Sequence, residues 1–332
     1  MLSLKNKRIL VTGGAGFIGS HLVDKLILEK PDKIVVVDNF FLGNRENLKE
    51  AKNNFINLKI INQDATDFEK MKSIIEKEKI QVIFNLATKA LEYSFTNPND
   101  AYMVNVNLAS VLLQLLHQKK FKTLIHCSSS EVYGSKKNGL IDESQAFVPE
   151  TLYAAGKAAA DLMIRSYYKT YKLDVAIVRP FNNYGPRQND KQYSAVIPIT
   201  MRRILTGQPP IIHDDGKQTR DFIFVEDTVR AMIEIYKNPQ TRGEEINIAS
   251  GKELKIKDLI AAIIKKMHYN GKILYKNRRI ADVRRHRANT LKAKKILHFE
   301  TNITFNDGIK KTIDYYVKNF DNNLINKNEV KL

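Results

Sequence analysis

Residues 11–20 read VTGGAGFIGS, and no other stretch narrows the possible folds so far. Gly13, Gly16 and Gly19 stand at GxxGxxG spacing. A β-branched run, RILVTG (8–13), precedes them, and an amphipathic run, FIGSHLVDKLILEK (17–30), follows. The pattern predicts strand, tight turn, helix. Glycine permits the turn and lets the backbone approach a pyrophosphate at the helix N-terminus. A second apolar run, KIVVVDN (33–39), ends on Asp38. It follows the glycines by about 20 residues, where a carboxylate binds the ribose hydroxyls of a dinucleotide. An acid there repels a 2′-phosphate, so NAD is expected over NADP. Asp64, closing LKIINQD (58–64), is a second carboxylate for the adenine end.

The alternation continues. A helix is expected at FEKMKSIIEKEK, a strand at QVIFNLA (81–87), a long helix over 101–119 and a strand at KTLIHCS (122–128). A helix over 154–171 and a strand at DVAIVRP (174–180) follow. Strands separated by helices need crossover connections, hence a parallel sheet covered on both faces. The fold class expected is therefore α/β, a Rossmann-type doubly wound sheet. After Pro180 the pattern becomes irregular, and EEINIAS (244–250) reads as a strand returning to the main sheet. Residues 1–179 and 221–250 are assigned to the NAD-binding domain. Residues 180–220 and 251–332 are assigned to a smaller, discontinuous α/β domain. Its polar tail, NNLINKNEVKL, is expected to fray.

Charge and cysteine count exclude several functions. Lys and Arg number 54 against 36 Asp and Glu, a net charge of +18. The lysines are scattered, with no long basic block, so nucleic acid is not an expected partner; a positive field would instead draw in an anionic substrate. No apolar run reaches about 18 residues, so no membrane span is expected. The first residues enter a strand almost at once without a leader pattern, and the lone Cys127 suits a reducing compartment; a cytoplasmic location is expected. No paired cysteines supply a metal cluster, and no metal is assigned.

Two constellations carry chemistry. HCSSSEVYG (126–134) places Ser128, Ser129, Ser130 and Glu131 where a strand ends. Glu131 either performs chemistry there or accepts backbone N–H groups of the turn. Tyr153 and Lys157 form a YxxxK pair, four apart on one helix face. A lysine cation beside a tyrosine lowers its pKa and makes it usable as a base. Tyr133/Lys137 and Tyr168/Lys172 share the spacing, but only Tyr153/Lys157 opens a helix after a long loop downstream of the serines.

With these motifs, RPFNNYGPRQ (179–188) and TRDFIFVEDT (219–228) in the same order, the chain resembles the extended short-chain dehydrogenase/reductases. More narrowly, it is similar to the NAD-dependent nucleotide-sugar epimerases and dehydratases, over roughly residues 7–300. The resemblance implies that Tyr153 deprotonates the sugar 4-hydroxyl, that Lys157 holds the nicotinamide ribose and tunes Tyr153, and that Ser129 hydrogen-bonds the 4-oxygen. Phe17, Ile18, Asn39 and Ala87 join the glycines, Asp38, Asp64, Tyr153 and Lys157 as implied NAD contacts. Asn182 and the arginines Arg220 and Arg284 are implied at the substrate diphosphate, a task suited to the planar guanidinium fork. Arg285 stands one step away, and the sequence leaves open which of the two points inward. In NLATKALEYSF (85–95), Thr88, Lys89 and Glu92 replace the small residues frequent in the family, beside the nicotinamide ribose and the sugar. Lys89 turning outward is the alternative.

The resemblance implies an enzyme that oxidises the sugar at C4. A 4,6-dehydratase then needs a base for C5–H, and Glu131 is placed to be it. Ser130 stands where dehydratases often carry aspartate, so Ser130 or a water would relay the proton to the 6-hydroxyl. The leading expectation is a nucleotide-diphosphate-sugar 4,6-dehydratase, a lyase of polysaccharide biosynthesis, with a UDP-sugar favoured. A UDP-sugar 4-epimerase is the alternative, and a UDP-uronate decarboxylase a further one. A non-catalytic NAD sensor is the reading from another class. A homodimer through helices 101–119 and 154–171 is the family habit.

Overall fold

Strand β2 (Lys33–Asp38) shows why the first half of the chain folds as it does. Ile34, Val35, Val36 and Val37 are all fully buried, as a strand covered on both faces requires. The computed structural model describes residues 1–136, 138–278 and 283–329, with side chains up to Phe320. Lys137 lies outside them, as do Ala281 and Asp282, which precede Val283 and Arg284.

The other strands are β1 (Arg8–Thr12), β3 (Leu58–Asn62), β4 (Val82–Asn85), β5 (Thr123–Cys127), β6 (Val175–Pro180) and a seventh, Glu245–Ile248. They form one seven-stranded sheet in the order 3-2-1-4-5-6-7. Every pairing is parallel. β3 is the outer strand beyond β2, and its residues are only partly buried. Helices Phe17–Ile27 and Val225–Lys237 bury Leu22, Leu26, Val229 and Met232 on one face. Helices Phe68–Lys77, Pro98–His117 and Leu152–Tyr171 bury Met71, Leu112 and Ile164 on the other. This is the doubly wound α/β architecture. Strand order reverses between β1 and β4, and ligands bind outside the strand ends at such a switch point.

A third apolar cluster holds the remainder together. Tyr184, Met201, Leu259, Ile260, Ile263 and Ile309 form its centre. Short two-stranded ladders frame it, pairing Asn182–Tyr184 with Phe222–Phe224 and Ile211–His213 with Leu274–Lys276. Two helices go beyond the sequence expectation. Val225–Lys237 is amphipathic and packs on the sheet, in a stretch to which the sequence reading assigned no element. The helix Phe305–Glu329 runs into the polar tail. No helix among the described residues is long and apolar enough to cross a membrane.

Candidate active site

The glycine turn joins β1 to its helix at the switch point. Gly13 has φ +66°, and a Cβ there would lie 2.7 Å from the Ala87 amide nitrogen at the end of β4. The two strand ends can meet only because that Cβ is missing. Gly16 caps the helix Phe17–Ile27 with no side-chain hydrogen bond, which leaves its first N–H groups for an anion. Asp38 is nearly buried and accepts N–H bonds from Ala15 at 2.9 Å and Phe40 at 2.8 Å. Burial pushes its pKa up, against those two bonds. Asn39 donates to Asp64 at 3.1 Å, and Thr66 donates to Asp64 through both N–H and hydroxyl. Burial raises the Asp64 pKa, but these bonds outweigh it and hold it low.

From this turn a cleft of about 550 Å³ runs to the third apolar cluster, where Ile197, Phe222 and Ile256 line it. Gly13, Gly16, Phe17, Ile18, Gly19, Asp38, Asn39, Asp64 and Ala87 line its first half. Ser129, Ser130, Glu131, Tyr153, Lys157, Thr88, Lys89, Glu92, Asn182 and Arg220 line it further in.

Beyond β5 the chain enters a 3₁₀ turn, Ser130–Tyr133, capped by Ser129, whose Oγ accepts the Glu131 N–H at 3.2 Å. Helix Leu152–Tyr171 brings Tyr153 alongside. Its close approach to helix Pro98–His117 depends on Gly156, where a Cβ would meet the Tyr102 carbonyl oxygen at 2.9 Å. The buried Tyr153 side chain lies beside Ser129 and Thr88, and Glu131 lies near enough to act on its charge. One turn on, buried Lys157 donates to the Cys127 carbonyl at 3.1 Å. Beneath, Ser128 donates to Asp161 at 2.8 Å, and Asp161 pairs with Arg179, both fully buried.

The Tyr153 pKa departs from the sequence expectation. Burial raises it, and the carboxylate of Glu131 adds to the rise, whereas Ser129 and Thr88 beside it oppose it. The Lys157 ammonium is directed at a backbone carbonyl, and burial lowers its own pKa. The lysine therefore does not produce the expected net lowering in this arrangement.

Lys89 reaches the cleft, but its ammonium sits 3.6 Å from the Phe41 ring centre and 3.5 Å from Asp100. Ser130 is buried, and its carbonyl contacts His286 Nε2 at 3.2 Å. Arg220 donates to the Val283 carbonyl at 2.5 Å. Arg284 is not brought to the cleft. It is exposed and pairs with Asp215 at 2.9 Å and Asp214 at 3.2 Å. Arg285 is turned to Glu253 at 2.6 Å. The cleft gains its other cations from Arg187 and Arg203, which sequence reading passed over. Arg187 lies in the quoted GPRQ and could have been found there; it pairs with Asp24 at 2.5 Å. Arg203 sits on the helix Val196–Leu205 and had no motif to mark it. Among the described residues no group of three or more His, Cys, Asp or Glu could hold a metal.

Residues 10–312 match the family described as GDP-mannose 4,6 dehydratase. The chain belongs to this family. It is 33% identical to the dTDP-D-glucose 4,6-dehydratase of Homo sapiens, over 95% of this chain and 91% of that protein. Among solved structures, the UDP-glucose 4-epimerase of Thermotoga maritima with UDP-glucose superposes with a TM-score of 0.88 at 30% identity, over 94% of this chain and 99% of that one. The dTDP-glucose 4,6-dehydratase of Bacillus anthracis in complex with NAD gives 0.85 at 31%, over 95% and 98%. The family thus spans dehydratases and epimerases on one extended short-chain dehydrogenase/reductase fold, and this chain is an enzyme of that nucleotide-sugar group.

Proposed function

We propose that the protein is an NAD-dependent nucleotide-diphosphate-sugar 4,6-dehydratase. The observation that carries the reading is the carboxylate of Glu131 in the cleft, beside the hydroxyl pair of Tyr153 and Ser129. A C4 epimerase needs no base for C5–H; a dehydratase does.

The first lobe, residues 1–179 and 221–250, holds NAD. The uncapped helix start at Gly16 takes the pyrophosphate, Asp38 the adenine ribose, and Asn39 and Asp64 the adenine end, with Phe17, Ile18, Gly19 and Ala87 closing around it. Bound there, NAD would supply the acceptor for the C4 hydride and the donor of that hydride to C6. The second lobe, residues 180–220 and 251–332, holds the sugar nucleotide, with Asn182 and Arg220 at its diphosphate and Arg187 and Arg203 adding positive charge. Thr88 and Lys89 face the sugar.

Tyr153 takes the 4-hydroxyl proton while Ser129 hydrogen-bonds the 4-oxygen, and Lys157 holds the nicotinamide ribose. The C4 ketone acidifies C5–H, and Glu131 removes that proton. With serine rather than a carboxylate at 130, Glu131 itself hands the proton to the 6-oxygen as water leaves. C5 later takes a proton that came from solvent. The enzyme works in the cytoplasm, supplying deoxysugars for polysaccharide biosynthesis. It forms a homodimer through helices Pro98–His117 and Leu152–Tyr171, which leave Met103 and Leu162 exposed.

The test is product identity. NAD-loaded protein is incubated with UDP-glucose, UDP-N-acetylglucosamine and their GDP and dTDP counterparts, and products are read by NMR. A 4-keto-6-deoxy sugar supports the reading, with a UDP-sugar the first candidate. A C4 epimer alone replaces it with a 4-epimerase. Carbon dioxide from a UDP-uronate indicates a decarboxylase. Tight NAD binding without turnover indicates a sensor.

A further inference from the structure

The peptide unit that carries Glu131 is held at both ends. Its carbonyl, that of Ser130, meets His286 Nε2 at 3.2 Å, and its N–H, that of Glu131, donates to Ser129 Oγ at 3.2 Å. A peptide group is planar, so holding its oxygen and its N–H fixes the plane from which the Glu131 side chain leaves. A carbonyl oxygen only accepts, so His286 Nε2 must carry the proton. Nδ1 is then bare, and it meets no hydrogen-bond partner among the described residues. A second proton there would be buried without an acceptor. Burial, with the charge of Arg220 adding to it, pushes the His286 pKa down to about 3, against the bond to Ser130. Near neutral pH the imidazole is therefore an uncharged donor in one tautomer.

His286 is itself held. It is fully buried, and its ring centre lies 4.9 Å from that of Phe181 with the planes 30° apart. The backbone on either side is pinned. The Thr219 N–H donates to the Arg284 carbonyl at 3.1 Å, the Ile141 N–H to the Arg287 carbonyl at 2.9 Å, and the Ala288 N–H to Asp221 at 3.2 Å. Thr219 and Asp221 flank Arg220, the arginine read at the substrate diphosphate. The segment that meets one end of the substrate thus also holds the histidine that grips the turn at the other end.

We propose that His286 is a positioning residue for Glu131: its Nε2–H holds the Ser130–Glu131 peptide so that the carboxylate stays aimed at C5 of the sugar. This rests on Glu131 being the base at C5. His286 stands behind the cleft wall rather than in it. Oxidation at C4 uses Tyr153 and Ser129, so loss of the histidine donor is felt after the ketone has formed.

The test uses the NAD-loaded full chain and the nucleotide sugar that turns over. His286→Phe keeps a ring beside Phe181 and removes the donor. His286→Gln puts an amide N–H within reach of the same carbonyl. NADH absorbance after mixing reports C4 oxidation, and NMR reports the 4-keto-6-deoxy product. His286→Phe is expected to form NADH within about twofold of the parent rate but to make product roughly tenfold more slowly at unchanged KM, the scale of one lost buried hydrogen bond. His286→Gln is expected to recover most of that loss. A product rate in His286→Phe equal to the parent's overturns the proposal. So does an equal loss of NADH formation and product, or a His286→Gln that fails as His286→Phe does. Should His286→Phe not fold by circular dichroism, His286→Asn, whose amide is too short to reach, takes its place. Hydrogen exchange over residues 128–134 is a readout that needs no turnover. Exchange of the Glu131 amide faster by roughly tenfold in the variant supports the hold, and unchanged exchange overturns it. A parent that yields only a C4 epimer, or Glu131→Gln with full product, would overturn the dehydratase reading instead, and the exchange measurement would still decide the hold.

Discussion

Lys157 donates its ammonium to the backbone carbonyl of Cys127 across 3.1 Å, tying the helix that carries Tyr153 to the strand end that carries Ser129. The lysine thereby fixes the distance between two groups that must meet at one sugar oxygen. Lys157→Met keeps the length of the side chain and removes the donor. Turnover is expected to fall by a factor of at least about 100, the scale of a misplaced acid–base pair. NAD retained after gel filtration should fall with it. Unchanged turnover would mean that the tie is incidental.

Glu131→Gln separates the two halves of the reaction. Oxidation at C4 does not use the carboxylate, so NADH absorbance should still rise when a nucleotide sugar is added. The 6-deoxy product should then fall by a factor of about 100 or more. Equal product from the parent and the variant would make Glu131 a turn residue.

Gly13→Ala tests the switch point. The position has φ +66°, and the new Cβ would fall 2.7 Å from the Ala87 amide nitrogen. Strain and backbone collision together should destabilise the fold by more than about 2 kcal/mol. Denaturant melts measure this, and equilibrium dialysis should show NAD binding lost with it.

Glu78 predicts a pH dependence of stability. Its carboxylate lies 2.8 Å from Lys33 and 2.7 Å from Lys59, and these bonds lower its pKa from 4.5 to about 2. A folded pKa below the unfolded one gives stability that is present above pH 4.5 and lost as pH falls toward 2. With both lysines part-exposed and screened, the contribution is about 1–2 kcal/mol. Glu78→Gln should lose that much in urea melts near neutrality, and its difference from the parent should shrink steadily through the acid range.

The sheet was legible because each of its signals is local. The KIVVVDN run is apolar on both faces, and the GxxGxxG spacing sits between a strand and a helix, so neither depends on distant partners. The helix Val225–Lys237 was missed because its start follows directly on the strand Phe222–Phe224, with no turn residues between them to mark a change. The arginines were the least legible part of the site. Arg284 faces Asp214 and Asp215, some 70 positions away in sequence. Spacing along the chain carries no record of which carboxylate folds beside which guanidinium. Tyr153 shows the same limit in another form. Its helical spacing from Lys157 was readable, but the burial that raises its pKa and the carbonyl that occupies the lysine both come from the tertiary fold.

The most direct measurement runs the reaction in deuterated water with the nucleotide sugar that turns over and reads the product by NMR. Removal of C5–H in the cleft, followed by its replacement from solvent, predicts a 4-keto-6-deoxy sugar with deuterium at C5. A C4 epimer as the sole product, with no deuterium on carbon, would contradict the account.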